Sequence, residues 1–325
     1  MAVDESLAII SRYDAPWKLA LKCPVSIGRL HGLIRSLKVQ IVHTNTAVIF
    51  SPAIAAKLAG VPHVWHVRES FEEFGAMWKL YRRFMVIFSS RIVAVSNATA
   101  SQFLQSPKVR VIHNGFPLAE FDVDRSALRK SFRSEHGLGD EIVIGCVGRI
   151  KWVRKGQEFL VQAAGILKKR GIFARYLVVG SPYGPNQDHL NRLKALASDF
   201  GVASAFVFTG ELADTRPAYA AMDIFVLPSA QPEPFGGVVM EAMAMELPVI
   251  ATSIGGSTDQ VEDAVSGFLI PPGDPEALAD KLAALIANEQ LRRKMGKEGR
   301  NRMERLFTFE GMAEKLTRLY REISN

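Results

Sequence analysis

Short apolar runs alternate with helical stretches along most of the chain, and this alternation constrains the fold more than any other feature. From residue 39 onward, runs such as Val39–His43 and Pro62–His66 are typical of strands, and each precedes a segment with helical periodicity. Strands that alternate with helices through short connections form parallel sheets covered by helices. The sequence therefore predicts an α/β fold with doubly wound, Rossmann-like sheets.

The alternation breaks once, in a charged segment over residues 117–140 that precedes a new apolar strand. The length of 325 residues suggests about two domains at roughly 150 residues each. We expect an N-terminal domain over residues 1–138, a C-terminal domain over 139–305, and a final helix over 306–325 that could cross back to the N-terminal domain. Tandem domains of this kind commonly bind ligands in the cleft between them, at the carboxyl ends of strands.

The composition is that of a globular protein from a reducing compartment. Apolar residues make up 48% and charged residues 22%, which excludes a disordered chain. Cys23 and Cys146 are far apart, so we expect reduced thiols and no zinc site. Because the sequence shows neither a membrane-spanning apolar run nor the basic start of a signal peptide, we expect a cytoplasmic protein, at most peripherally attached to a membrane.

Positive charge is concentrated in the first half of the chain. The formal net charge is +7, and residues 1–140 hold 18 Lys and Arg against 11 Asp and Glu. Such asymmetry favours an anionic partner, or it is a solvated face that keeps the protein soluble. The segment Trp78–Phe88 could dock on an anionic membrane, although a core helix with outward arginines explains it better. No recognition motif supports nucleic-acid binding, so no such partner is expected.

The strongest chemical signal is a pair of glutamates eight residues apart. Glu233 lies in a Pro-bounded loop after a predicted strand, and Glu241 lies in the helix that Gly236 and Gly237 open. Because glycine lacks Cβ, the N–H groups at this helix start can closely approach an anion such as a phosphate. Glu233 could hold sugar hydroxyls, and Glu241 could hold the diol of a ribose. A surface loop before an amphipathic helix explains Glu241, but it does not explain the prolines and glycines around it.

Two basic residues form the second signal. Arg149 follows a predicted strand over residues 142–147, and Lys155 precedes Gly156 at the start of the next helix. The arginine offers a planar fork for phosphate oxygens, and the lysine offers a compact charge. Together they could neutralise a diphosphate without a metal and stabilise its charge as it departs. Taken alone they would be ordinary solvated residues, and it is the glutamate pair that gives them weight.

These segments together resemble the retaining family 4 glycosyltransferases of the GT-B fold. The resemblance implies transfer of a sugar from a nucleoside diphosphate sugar to a hydroxyl of a glycan or lipid-linked acceptor, with retention of configuration. No metal or resident cofactor is expected. A nucleotide-sugar-binding subunit or a remnant without turnover is the alternative. The resemblance covers the C-terminal domain almost completely and rests on Gly148 with Arg149, Lys155 with Gly156, Glu233 with Glu241, residues 252–256 and residues 266–272.

The resemblance also assigns roles to single residues of the C-terminal domain. It implies that Arg149 and Lys155 bind the donor diphosphate and that Glu233 holds the donor sugar, so these three are predicted to be catalytic. Glu241 is implied to bind the ribose, and the segment after the strand at 205–208 is implied to border the nucleobase. The further donor-binding positions are Gly148, Gly210, Glu211, Leu212, Phe235, Gly236 and Gly237.

Three histidines, His43, His66 and His113, end predicted strands in the N-terminal half. By resemblance, His66 meets the donor sugar near its anomeric carbon and is predicted to be catalytic. We interpret His43 and His113 as structural, and His63 likewise. The family begins with a strand and a Gly-rich loop, whereas this sequence shows no convincing strand before residues 7–10. We therefore expect the chain to start after the first strand–helix unit.

Overall fold

A computed structural model describes residues 16–71, 75–182 and 187–324, and in it the chain divides into two compact units. The first unit comprises the chain up to Asn114 together with the segment from Glu310 onward, and the second unit comprises Gly115–Phe309. Each is built on a parallel sheet with helices, which confirms the predicted α/β class. Residues 7–10, where the sequence shows its first strand-like run, lie outside the described residues.

The first unit contains a four-stranded sheet whose strand order follows the chain. Its strands are Val42–Thr44 (β1), His63–Val67 (β2), Arg91–Ala94 (β3) and Val109–Val111 (β4). The helices between and before them are Pro16–Ser36 (α1), Ser51–Ala59 (α2), Gly75–Phe88 (α3) and Asn97–Ser101 (α4). Sequence periodicity did not predict α1, which packs against α2.

The second unit contains a six-stranded sheet. Its strands are Val143–Val147 (β5), Arg175–Val179 (β6), Phe206–Gly210 (β7), Ile224–Leu227 (β8), Val249–Thr252 (β9) and Gly267–Ile270 (β10). Its helices are Arg125–Glu135 (α5), Gln157–Lys169 (α6), Asp188–Asp199 (α7), Arg216–Ala221 (α8), Gly237–Ala244 (α9), Ser257–Gln260 (α10), Pro275–Ala287 (α11) and Glu289–Leu306 (α12). The last helix, Phe309–Ser324 (α13), lies almost wholly in the first unit.

Strand order in the second unit reverses at β5. The order is β10-β9-β8-β5-β6-β7, so the chain builds outward from β5 on one side and returns to start β8 on the other. In open α/β sheets, ligands bind at the carboxyl ends of the strands where the order reverses. A ligand-binding site is therefore expected at the loops that follow β5 and β8.

Alternating side chains of the central strands fill a core on each face of the sheet. In β5, Val143 and Val147 join one apolar cluster, whereas Ile144 and Cys146 join the other. This alternation follows from the two-residue period of a strand. Burial raises the pKa of Cys146 to about 12, so its thiol stays protonated and acts as a core side chain.

The first unit shows the same alternation in β2. Trp65 and Val67 pack into a cluster with α3, whereas Val64 packs with Leu319 and Tyr320 of α13 on the opposite face. The C-terminal helix therefore covers one face of the first sheet.

The structure moves the expected domain boundary. The sequence predicts it near residue 139, because the charged segment over 117–140 breaks the strand–helix alternation, yet residues 115–138 belong to the second unit. The charges of α5 are used inside that unit: Arg133 is 6% exposed and donates to Asp223 Oδ2 at 2.8 Å. The first unit resumes at Glu310 rather than at 306.

Candidate functional site

The loops after β5 and β8 lie against each other at the point of strand reversal. Gly156, the last residue of the β5–α6 loop, has a φ of 68°, and a Cβ there would lie 1.8 Å from Pro228 O. The N–H of Ala230 in the β8–α9 loop donates to Arg154 O at 3.1 Å. Only glycine permits both the left-handed backbone and this close approach. The glycine after Lys155 therefore serves to join the two loops.

Lys155 and Glu233 meet across these loops. Lys155 Nζ lies 2.8 Å from Glu233 Oε1, and the Ser229 hydroxyl donates to the same oxygen at 2.5 Å. Ser229 is itself held by Thr252, whose hydroxyl donates to Ser229 O at 2.8 Å. The two predicted residues are therefore brought into direct contact. The predicted roles of both residues remain predictions.

The ends of β5, β6 and β7 line a cavity of about 320 Å³, which includes Arg149 from the same loop as Lys155. Four predicted donor-binding residues line it, namely Gly148, Arg149, Glu211 and Leu212. The other residues that line it are Val147, Val179, Gly180, Ser181, Pro182 and Thr215. A cavity of this size at a strand-order reversal is a typical small-molecule site.

Glycines allow the strand ends around the cavity to come close together. Gly180 has a φ of 128°, and a Cβ there would lie 2.2 Å from Gly148 O. The N–H of Gly180 donates to Gly210 O at 2.8 Å. The predicted position Gly210 thus shapes the neighbouring strand end, although it does not itself line the cavity.

The start of α9 is open where the sequence predicts an anion site. Gly236 is the N-cap and supplies no side-chain hydrogen bond, and a Cβ at Gly237 would meet nothing within 4 Å. The packing of the protein therefore does not require glycine at 237. By contrast, a Cβ at Gly255 would lie 2.3 Å from Glu233 O, and Gly256 N–H donates to that oxygen at 2.7 Å. The second glycine pair thus positions the Glu233 loop.

Glu241 is connected to the lining of the cavity by one hydrogen bond. The Thr215 hydroxyl, which lines the cavity, donates to Glu241 Oε2 at 3.4 Å. Burial raises the pKa of the Glu241 carboxyl, while hydrogen bonds from Tyr219 and Thr215 lower it to a smaller extent. Phe235, another predicted donor-binding residue, packs edge-on against Phe307 with ring centroids 5.6 Å apart.

His66 lies in the first unit, in the middle of its sheet. Its side chain is 2% exposed, and its Nε2 is buried with no hydrogen-bond partner among the described residues. Burial, together with the charges of Arg68 and His43, lowers the pKa of His66 to about 3. The imidazole is therefore neutral near pH 7, and it can act there as a hydrogen-bonding group but not as a cation.

His43 and His63 have hydrogen-bonding partners in α13 and in β1, respectively. His43 Nδ1 lies 2.5 Å from the Tyr320 hydroxyl of α13, and its ring lies 5.4 Å from that of His66. His63 Nε2 lies 2.8 Å from Thr44 Oγ1. These contacts suit the structural interpretation of His43 and His63. His113 lies two residues beyond β4 and is half-buried.

Helix α3 contains the basic and aromatic segment that the sequence singles out. Trp78 and Met85 are buried in the core of the first unit, as expected for a core helix. The opposite face is not covered among the described residues: Met77 and Leu80 are each 75% exposed, and Ile87 is 56% exposed. The helix therefore has a core face and a second apolar face toward solvent.

Sequence reasoning missed Ser229 and Thr215, each of which donates to a predicted glutamate. The signal for Ser229 was its place four residues before Glu233, directly after a strand-ending proline. Thr215 carries no comparable signal, because only the fold brings it near Glu241.

The described residues contain neither a metal-binding cluster nor a membrane-spanning helix. In residues 16–71, 75–182 and 187–324, no three His, Cys, Asp or Glu side chains are grouped closely enough to hold a metal ion. None of the helices in the same ranges is both long and apolar enough to cross a membrane.

Comparisons with known proteins match both halves of the chain to glycosyltransferase families. Residues 129–302 match the family described as glycosyl transferases group 1, and residues 7–120 match the description glycosyltransferase family 4. The chain is 31% identical over 250 residues to CapM, a capsular polysaccharide biosynthesis glycosyltransferase of Staphylococcus aureus, covering 74% of this chain and 64% of that protein.

A second relative is a GDP-mannose-dependent alpha-(1-6)-phosphatidylinositol monomannoside mannosyltransferase of Mycolicibacterium smegmatis. It is 33% identical over 222 residues, which cover 65% of this chain and 56% of that protein. The chain thus spans less than two thirds of the length of both relatives. Among solved structures, Anabaena Alr3699/HepE in complex with UDP superposes with a TM-score of 0.83 at 25% identity, covering 94% of this chain and 83% of that one. The architecture is GT-B.

Proposed function

Since the chain belongs to the glycosyl transferases group 1 family, we propose that it transfers a sugar from a nucleoside diphosphate sugar to an acceptor hydroxyl, with retention of anomeric configuration. The observation that carries this proposal is the convergence of Lys155 and Ser229 on one oxygen of Glu233. This cluster shares its loop with Arg149, which lines the neighbouring cavity. A cation and a fixed carboxylate beside a cavity suit a donor that carries both a diphosphate and hydroxyl groups.

Lys155 can serve the carboxylate and the diphosphate together. An ammonium group has three donors, so one can hold Glu233 while others reach phosphate oxygens. Arg149 adds a planar fork for the same oxygens. Positive charge in fixed positions stabilises negative charge as it develops on the departing diphosphate. No metal is needed for this step in the proposal.

Glu233 is proposed to orient the donor sugar. Its Oε1 accepts hydrogen bonds from Lys155 and Ser229, so the carboxylate is fixed before a ligand arrives. A fixed acceptor aligns sugar hydroxyls at low entropic cost. Retention then follows from attack of the acceptor on the face that the diphosphate leaves, with the diphosphate taking the proton of the attacking hydroxyl. His66, neutral through burial, is proposed to contact the sugar as a hydrogen-bonding group.

UDP is the first donor nucleotide to test. Support comes from the likeness to Anabaena Alr3699/HepE, which was solved with UDP. The cavity beside Arg149 is proposed to take the nucleotide, with Glu211 and Leu212 bordering the base and Glu241 binding the ribose.

The deciding experiment is a donor panel on the purified chain. UDP, GDP and ADP are compared by the rise in melting temperature, and the matching nucleotide sugars are then followed for release of nucleoside diphosphate. Turnover or slow donor hydrolysis supports the enzyme. Binding without either supports the alternative, a nucleotide-sugar-binding subunit or remnant. No binding of any nucleoside diphosphate contradicts both.

The acceptor is proposed to be a glycan or a lipid-linked saccharide, reached by peripheral contact with an anionic membrane. Support comes from α3, where Met77, Leu80 and Ile87 are exposed next to Lys79 and Arg83. Exposed apolar side chains flanked by cations suit the surface of an acidic bilayer.

The membrane contact can be tested by sedimentation with vesicles of phosphatidylcholine alone or with phosphatidylglycerol. We expect binding only to the acidic vesicles, and we expect Leu80→Ser with Ile87→Ser to weaken it. Equal binding of parent and variant would remove α3 from the contact.

A further inference from the structure

The β5–α6 loop contains a strained residue between the two predicted diphosphate-binding cations. Val153 has a φ of 66°, in the left-handed region, and its side chain is 52% exposed. A β-branched residue in this region is a steric outlier that persists only where its surroundings enforce it. Its side chain gains little from burial, so the reason for its conformation must lie in its backbone.

The backbone N–H of Val153 is held by a buried carboxylate. It donates to Glu158 Oε1 at 2.9 Å, and Glu158, in the first turn of α6, is 5% exposed. Glu158 Oε2 is buried without a hydrogen-bond partner among the described residues. Burial raises the pKa of the Glu158 carboxyl, although the hydrogen bonds from the backbone N–H groups of Glu158 and Val153 lower it in part. Burying a carboxylate costs free energy. The structural effect that accompanies this cost is the loop conformation, which the carboxylate stabilises through the N–H of Val153.

The same loop ends in the residues of the proposed site. Lys155 N–H donates to Lys151 O at 3.1 Å, and Arg154 N–H donates to Trp152 O at 2.9 Å, which closes a tight turn with Val153 at its tip. Lys155 Nζ then reaches Glu233. The path of the chain at Val153 therefore sets the direction in which Lys155 leaves the turn.

We propose that Glu158 is a positioning residue for the donor diphosphate: its carboxylate holds Val153 in the left-handed conformation and so directs Lys155 toward the phosphate oxygens and Glu233. This inference rests on the proposed function, because it needs Lys155 to bind the diphosphate. A positioning role and a purely structural role in α6 predict different responses to a second substitution at Val153. If Glu158 acts through Val153, removal of the strain at Val153 compensates for loss of the carboxylate.

The test measures the affinity of the full chain for UDP by calorimetry. Glu158→Ala is expected to weaken UDP binding about tenfold, the usual consequence of a lost hydrogen bond to a charged group. Glycine adopts the left-handed conformation freely. The double variant Glu158→Ala with Val153→Gly is therefore expected to bind UDP with an affinity within about threefold of that of the parent. Uridine, which has no phosphates, is expected to bind parent and Glu158→Ala equally.

A matched control separates local strain from general stabilisation. Ala264 is another non-glycine residue with a left-handed backbone, at a φ of 61°, and it is exposed in the loop before β10. Ala264→Gly is expected not to restore UDP binding of Glu158→Ala. Should Glu158→Ala fail to fold, Glu158→Asp keeps the charge but shortens the reach to Val153, and it is expected to show the same loss and the same rescue by Val153→Gly.

Several outcomes overturn the proposal. They are unchanged UDP affinity in both Glu158 variants, an equal loss of uridine binding, no recovery of UDP affinity when Val153→Gly is added, or recovery by Ala264→Gly as well as by Val153→Gly. Arg149→Ala with Lys155→Ala, measured in parallel, distinguishes failure of the proposed function. If that pair leaves UDP affinity unchanged, the diphosphate assignment itself is wrong. If it weakens binding while the Glu158 variants match the parent, only the positioning role is wrong.

Discussion

The two units differ in the environment of their ionisable side chains. In the second unit, Lys155 and Glu233 form a part-buried ion pair, with their side chains 24% and 14% exposed. In the first unit, His63 and His66 are buried and their pKa values are each lowered to about 3. The sequence of that unit, residues 1–114 and 310–325, contains seventeen Lys and Arg residues against nine Asp and Glu residues.

This difference teaches where fixed charge is available. An ion pair held in a fixed geometry can stabilise the charges of a ligand, whereas a desolvated imidazole stays neutral. The second unit is therefore equipped to hold an anionic donor, and the first unit offers neutral hydrogen-bonding groups inside and positive charge outside. This contrast between the two units can be tested by four sets of variants.

Removal of the fixed carboxylate is expected to have the largest effect. Glu233→Gln keeps the shape of the side chain but loses its charge, and it is expected to lower the rate of sugar transfer on the order of 10³-fold, about 4 kcal/mol. Steady-state release of UDP from the donor measures this. Glu276→Gln changes an exposed carboxylate of the same unit, whose side chain is 66% exposed, and it is expected to leave the rate unchanged. Equal rates for Glu233→Gln and the parent would contradict the contrast.

Removal of both cations is the next test. Arg149→Ala with Lys155→Ala is expected to weaken UDP binding by about 3 kcal/mol, roughly 100-fold, because each removes a charged donor to the diphosphate. Lys168→Ala with Arg170→Ala removes two positive charges at the far end of α6 and serves as the control. If both double variants weaken binding alike, general electrostatic attraction and not the β5–α6 loop holds the nucleotide.

The buried histidines predict acid sensitivity of the first unit. The pKa of His63 is lowered by burial and then by His43. Its contribution to stability is therefore complete above the unfolded-state pKa of about 6.5 and is lost as the pH falls toward the folded value of about 3. Between pH 7 and pH 5 the loss is about 2 kcal/mol in the free energy of unfolding.

Urea unfolding of parent and His63→Asn at both pH values measures that loss. The variant is expected to show a pH dependence smaller by about 2 kcal/mol, whatever its stability at pH 7. An identical pH dependence in the two proteins would show that His63 titrates in the fold as it does in the unfolded chain.

The smallest effect is expected at Ser229, one of the residues that sequence reasoning missed. Ser229→Ala removes one of the two donors to Glu233 Oε1 and leaves Lys155 in place. Loss of a single hydrogen bond of this kind is expected to lower the transfer rate about fivefold, near 1 kcal/mol, without changing UDP affinity. A drop as large as that of Glu233→Gln would mean that the serine hydroxyl, and not only the carboxylate, contacts the donor.

The fold of the second unit follows closely from the apolar pattern. The strand expected over 142–147 is Val143–Val147, and the helix expected to start at Gly156 is Gln157–Lys169. Each central strand is buried on both faces, so its apolar run is unbroken and easily recognised. Helix α5 escaped recognition because its periodicity is carried by charged residues such as Arg133, which is buried and pairs with the part-buried Asp223 rather than with water.

The residues of the candidate site likewise fall into those that the local sequence reveals and those that only tertiary contacts reveal. Residues that end a strand or open a helix, such as Arg149, Lys155 and Glu233, could be found because their positions are fixed by local elements. Thr215 and Glu158 could not, since their roles depend on contacts with Glu241 and with the backbone of Val153.

By itself, the sequence determined the α/β class, most strand and helix bounds of the second unit, and the residues at its strand ends, because apolar periodicity and turn residues act over a few positions. Only the tertiary structure decided where the chain divides into units, which donors meet Glu233, and which histidines lose their charge. Those outcomes depend on packing between residues far apart in the sequence, and the burial of an ionisable side chain has no local signature.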